Sequence, residues 1–172
     1  KEGTPIHIGR SLTLKATHHA RAGELEVALQ AVKTSLETYD VVLHSTDMAA
    51  EYGRDFAIEC VAESAQWLFL SGLTDEAIKR ADFVVERYLK MLDPEDVDST
   101  MYAVFPVLQV YSLVGRAEDA STLFHHRILQ PYEDDPGACE FWAPIFIPLT
   151  CLLQVVAMDE ENSALLAEIA EW

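Results

Sequence analysis

Six histidines, three cysteines and 29 acidic residues are the groups in this 172-residue sequence that could do chemistry. The histidines include two doublets, His18–His19 and His125–His126. Neighbours on a helix point about 100° apart, so a doublet offers a metal one ligand at a time rather than a clamp. Cys60, Cys139 and Cys151 are odd in number and lack metal-ligand or redox spacing, so they are read as reduced thiols of a cytoplasmic protein. The sequence has no Gly-rich phosphate loop, no G-x-S-x-G turn, no H-E-x-x-H and no CxxC pair. Nothing singles out two of the acids as an acid–base pair. The chain is therefore read as a non-enzyme that needs neither metal nor cofactor, with an all-helical enzyme as the alternative from a different class.

Charge points the same way. With 12 Lys and Arg against 29 acids the formal charge is −17. Nucleic acids and anionic lipid surfaces are bound through clusters of Lys and Arg, and none is present here. The expected partner is a protein or peptide, with neither nucleic acid nor membrane. The uncharged run "FWAPIFIPLTCLLQVVAM", residues 141–158, is the one stretch that approaches membrane length. Pro144 and Pro148 shorten its continuous helix, Gln154 is polar, and acids rather than basic residues flank it, so it is read as a buried helix.

The elements that must position any site are legible as a repeat. Four places share a pattern: "AGELEVAL" from Ala22, "SGLTDEAI" from Ser71, "VGRAEDAS" from Val114 and "MDEENSAL" from Met158. Each has a turn residue (Gly23, Gly72, Gly115 or Asp159) and an alanine five positions later (Ala28, Ala77, Ala120 or Ala164). From turn to turn the spacing is 49, 43 and 44 residues, the scale of stacked helix pairs. Glycine ends one helix in a left-handed conformation. Acids then open the next, where exposed N–H groups favour negative charge, and Thr74 is expected to cap one such start. The alanines are expected at helix crossings, where a larger side chain would force the rods apart.

Within the segments the apolar period is that of helix. Ile78, Ala81, Val85, Tyr88, Leu89 and Leu92 share one face, as do Ala57, Val61, Ala65 and Leu68, with Glu59, Glu63 and Gln66 off the stripe. No segment alternates long enough for a strand. The predicted fold is all-α, with units at about 4–44, 48–94, 97–132 and 138–172. Pro106, Pro144 and Pro148 fall in first helices, where they either kink the helix or mark a later start. The chain lacks an initiator Met and stops at Trp172 inside a helical pattern, so it is expected to be a piece of a longer protein. A fourth unit apolar all round requires cover, either from further helices of that protein or from a second copy forming a homodimer.

The Gly, acid-rich turn and Ala resemble the centre of a tetratricopeptide repeat. Leu12, Val61 and Val104 match its first-helix anchor, and Leu68 and Tyr111 its position four residues before the glycine, where His19 departs. The units are longer than the family's standard repeat and look most like the divergent, MalT-like class. That resemblance implies a right-handed α-solenoid of about four antiparallel helix pairs whose first helices line a concave binding groove. By register the groove positions are Arg10, Thr13, Thr17 and Arg21; then Glu59, Gln66 and Phe69; then Tyr102, Phe105, Gln109 and Ser112; and last the apolar Phe146, Leu149 and Leu153. The implied function is a scaffold that binds a protein or peptide, as the regulatory module of a larger protein. A small-ligand sensor is the alternative. A peptide with a carboxylate end and an apolar tail would match the gradient along the groove.

Overall fold

A computed structural model describes residues 4–91 and 97–130. The chain forms two compact units, Lys1–Val107 and Leu108–Trp172. Among the described residues all regular structure is helical, with no strand. The first unit contains α1 (Pro5–Arg21), α2 (Leu25–Thr38), α3 (Val41–Tyr52), α4 (Phe56–Leu70) and α5 (Thr74–Phe83). The division between the units falls within α6 (Val97–Leu113), and α7 (Ala117–Phe124) belongs to the second.

The same hydrogen-bonded turn ends α1, α4 and α6. Gly23, Gly72 and Gly115 have φ of +80°, +79° and +79°. Each donates its N–H three residues back, to Ala20, Phe69 and Ser112 respectively. The residue after each donates five residues back, from Glu24 to His19, Leu73 to Leu68 and Arg116 to Tyr111. This paired closure satisfies the orphan carbonyls at a helix end and requires a residue that tolerates positive φ. The helices that follow carry acids in their first turns: Glu26 in α2, Asp75 and Glu76 in α5, Glu118 and Asp119 in α7. Ala28, Ala77 and Ala120 are completely buried.

Other local features differ from the sequence reading. Thr74 is the first residue of α5 and does not cap it; Leu73 holds the cap position and supplies no side-chain bond. The side-chain caps lie elsewhere. Asp40 accepts from Val42 N and Leu43 N to start α3, and Asp55 accepts from Ala57 N and Ile58 N to start α4. Helix α3 occupies residues 41–52, across the interval where the first two units were separated, and it accounts for the longest spacing between turns. Helix α5 runs on into a π-helical turn, Val84–Tyr88, with Leu89 N bonded to Val84 O at 3.0 Å. Val84 is fully buried while Val85, expected on the core face, is half-buried; Val84 continues the helical spacing of the buried Ala77 and Ala81, so the core face runs through Ala77 and Val84 rather than Ile78 and Val85. Pro106 lies inside α6, which continues past it, and so marks no helix start.

The core of the first unit is built around α4, which packs against α1, α2, α3 and α5. Nearly every residue from Ala57 to Ala65 is buried, including Glu59, Cys60 and Ser64. Burying Ile58 or Val61 here contributes about 1.5–3 kcal/mol each. Gly9 of α1 is pressed against Tyr39, so closely that a Cβ would lie 2.9 Å from Tyr39 Cδ2. The Tyr39 hydroxyl donates to Asp55 Oδ2 at 2.8 Å, tying the end of α2 to the start of α4. Arg80 of α5 reaches Ser64 Oγ at 3.0 Å. In the second unit Leu108, Val110, Leu123, Phe124 and Ile128 are buried, and a second π turn, His125–Leu129, follows α7.

Candidate functional site: an arginine–aromatic cleft on the first unit

On α1, Arg10, Thr13, Thr17 and Arg21 succeed one another at three- and four-residue steps and share one face. Across from them α4 presents Phe56, Glu59, Cys60 and Glu63 at the same kind of spacing. These two rows, with Arg54 from the turn before α4 and Tyr102 from α6, enclose a cleft of about 480 Å³. That lies within the ~300–1,000 Å³ typical of ligand-binding clefts. Leu14 and His18 stand on its rim.

Aromatic rings hold two of the guanidinium groups. Arg10 Cζ is 3.4 Å from the Phe56 centroid and 5.4 Å from that of Tyr52. Arg54 Cζ is 4.5 Å from Phe56 and 4.2 Å from Tyr102. Ring faces attract cations, and planar guanidinium stacks on them without giving up its charge. Nη1 of Arg10 is enclosed with no hydrogen-bond partner, so the rings are its main support.

The carboxylates are the unusual members. Glu59 is only 9% exposed. Its Oε1 lies 2.9 Å from Arg54 Nε, yet it is out of line with the N–H and makes no hydrogen bond. The contact is an ion pair with poor geometry. Burial pushes the Glu59 carboxyl up to about 7, against the pull of Arg54 and Arg10 and with a further push from Glu63 and Asp55. Glu63, one turn along, is also raised by burial, opposed by Arg21 and Arg54. With both carboxylates ionised, three arginines against two glutamates leave the cleft at +1 in a chain of −17. Cys60 is no nucleophile: burial pushes its thiol far up, and Sγ sits 4.0 Å from Thr13 O.

A second hollow of about 210 Å³ adjoins the first and shares Thr17, Arg21 and Glu63 with it. Leu25, Trp67 and Leu70 supply its apolar wall, and Leu70 is 69% exposed. Gln66 belongs to this hollow.

Of the groove residues inferred from sequence, the structure thus gathers Arg10, Thr13, Thr17, Arg21, Glu59 and Tyr102 into one cleft and puts Gln66 beside it. Thr13 is itself buried, its hydroxyl donating to Gly9 O at 2.9 Å. Phe69 and Phe105 are half-buried and line neither hollow. Gln109 and Ser112 belong to the second unit; Gln109 is half-buried, while Ser112 is buried with its Oγ unbonded. Ala164, Phe146, Leu149, Leu153 and the apolar run 141–158 lie outside the described residues. Arg54, Phe56 and Glu63 were not among the inferred site residues. The readable signal was Asp55: a capping residue just before an apolar-periodic run starts α4 at Phe56, and thereby sets Phe56, Glu59 and Glu63 on one face.

Among the described residues no group of three or more His, Cys, Asp or Glu side chains could hold a metal ion, and no helix is long and apolar enough to cross a membrane. The rings within each His doublet stand edge to face, 5.7 Å apart in His18–His19 and 5.4 Å in His125–His126. Comparison with protein-family models, curated proteins and solved structures finds no match.

Proposed function

We propose that the chain is a tetratricopeptide-like repeat, a right-handed solenoid of helix pairs. In this reading it binds a segment of a partner protein or peptide through its first-helix face, as the regulatory module of a larger protein. The three identical glycine turns followed by buried alanines support the repeat, with α3 as an added helix in the first unit. The observation that carries the binding reading is the convergence of Arg10, Arg21 and Arg54 with Phe56 in one cleft of an otherwise acidic protein. Guanidinium groups preorganised on aromatic rings suit a carboxylate. The apolar hollow alongside suits a neighbouring Leu- or Phe-like side chain.

The test is fluorescence anisotropy with short labelled peptides ending in an apolar residue, each as free acid and as C-terminal amide. The free acids should bind, and the amides should bind at least tenfold more weakly, which is about 1.4 kcal/mol. Arg10→Glu/Arg21→Glu should remove the difference. Equal binding of acid and amide by the unaltered protein would eliminate the carboxylate role.

One observation favours a second reading. A carboxyl raised to about 7 in a cleft beside a second raised carboxyl is the kind of group that enzymes use as a general acid or base. The Cys60 thiol is inert, and three guanidinium groups beside an apolar hollow favour binding as the reading of this site.

A further inference from the structure

Glu59 stands where a ligand carboxylate would stand. It is the buried acid of the cleft, it lies against the guanidinium of Arg54, and it is badly aligned to use that guanidinium. A free carboxylate entering from the open side is not bound by the geometry of α4 and can approach Arg54 along its N–H directions, which the fixed Glu59 cannot. Once Arg54 turns to the ligand, Glu59 is left buried beside two negative groups, Glu63 and the ligand. A buried carboxylate that loses the stronger of its two countercharges, keeping only the weaker pull of Arg10, is driven toward its protonated form.

We infer that Glu59 is an internal placeholder, and that the cleft binds a carboxylate ligand by exchanging it for Glu59 at Arg54 with uptake of one proton by the Glu59 carboxyl. This rests on the carboxylate-binding reading above and adds its regulation: the site takes the acid together with a proton and releases both as pH rises. The proton comes from solvent and ends on a Glu59 carboxyl oxygen; no other bond forms or breaks. The free carboxyl is already pushed up to about 7 by burial, so the exchange falls in the neutral range.

The charged and titratable groups facing Glu59 are few. Helix α1 contributes Arg10 and Arg21, with His18 on the rim; the turn before α4 contributes Arg54 and Asp55. Helix α4 adds Glu63 and the buried Cys60 thiol, and α6 adds the Tyr102 hydroxyl. A ligand carboxylate of ordinary acidity, with pKa about 3.5, is ionised throughout the neutral range and adds no pH dependence of its own.

The probe is N-acetyl-leucine, a carboxylate with one apolar side chain, and N-acetyl-leucinamide is its uncharged counterpart. Binding to the full chain is followed by NMR titration at pH 6 and pH 8 at constant ionic strength. Calorimetry at pH 8 in buffers of different ionisation enthalpy reads the proton. The acid is expected to bind several-fold more tightly at pH 6, within the limit of about tenfold per pH unit for one proton, with proton uptake at pH 8. Glu59→Gln, which carries a permanently uncharged group, should bind at pH 8 about as the unaltered protein does at pH 6, with no pH dependence and no proton uptake. The NMR spectrum of the variant reports its fold in the same experiment. Binding of the acid that is equal at both pH values overturns the placeholder while leaving the carboxylate site intact. A pH dependence that survives in Glu59→Gln and vanishes in His18→Asn overturns it in favour of the imidazole. If the acid binds no better than the amide in either protein at either pH, the carboxylate reading and this inference fail together.

Discussion

Removing the Asp55 carboxylate should unfasten the cleft from its support. Asp55 is 3% exposed and accepts three hydrogen bonds, from Ala57 N at 2.9 Å, Ile58 N at 3.3 Å and the Tyr39 hydroxyl at 2.8 Å. Asp55→Ala removes an N-cap, at about 0.5–2 kcal/mol. It also strands the Tyr39 hydroxyl, in a side chain 2% exposed, at about 1–3 kcal/mol. Burial and Asp55 together push the Tyr39 phenol far up, so the hydroxyl remains a proton donor and needs an acceptor. The two contributions give about 1.5–5 kcal/mol for Asp55→Ala. In a Tyr39→Phe background no hydroxyl is left to strand, and the same substitution should cost about 0.5–2 kcal/mol. The expected coupling is therefore the stranded-hydroxyl cost, about 1–3 kcal/mol, well above the few tenths at which separate sites add. Urea unfolding of the four proteins measures it, and Asp55→Asn, which keeps a capping oxygen, should lie between. An equal cost of Asp55→Ala in both backgrounds would refute the shared role of this carboxylate. The consequence reaches the site, because Phe56 and Glu59 stand in the turn that Asp55 caps.

Three further outcomes follow from the packing and the charges. Gly9→Ala puts a methyl 2.9 Å from the Tyr39 ring; the overpacking, about 1–3 kcal/mol, should outweigh the gain in helix propensity of up to ~1 kcal/mol, so a raised melting temperature would contradict the close contact. Ala77→Leu should cost about 1–3 kcal/mol in urea unfolding, since Ala77 is completely buried at the start of α5; no measurable loss would place the helix crossing elsewhere. Burial raises the Glu59 carboxyl from the ordinary 4.5 to about 7 in the folded state. The folded state therefore holds the proton more tightly, and the stabilisation is complete below about 4.5 and lost as pH rises through about 7. Replacing Glu59 with Gln should remove that loss, so that between pH 5 and pH 8 the variant gains on the unaltered protein by on the order of 2–3 kcal/mol; parallel pH profiles of the two would contradict the raised carboxyl.

Much of the fold could be read before any coordinates because its signals are local. A glycine turn closes through bonds spanning six residues, so Gly23, Gly72 and Gly115 announce it from neighbouring sequence alone. The helical period, the acids opening each second helix, and the single face shared by Arg10, Thr13, Thr17 and Arg21 are local in the same way. Tertiary structure decided the rest. Helix α3, at 41–52, straddles the boundary expected between the first two units. Packing also chooses between two stripes of the same helical period, burying Ala77 and Val84 where Ile78 and Val85 were expected on the core face. Above all, Glu59 reads in sequence as one polar residue among several on α4. It becomes a buried carboxyl, raised by desolvation against the pull of Arg54, only because other helices of the first unit pack around α4. Desolvation depends on which distant residues exclude water, and that is settled by packing between segments rather than within one.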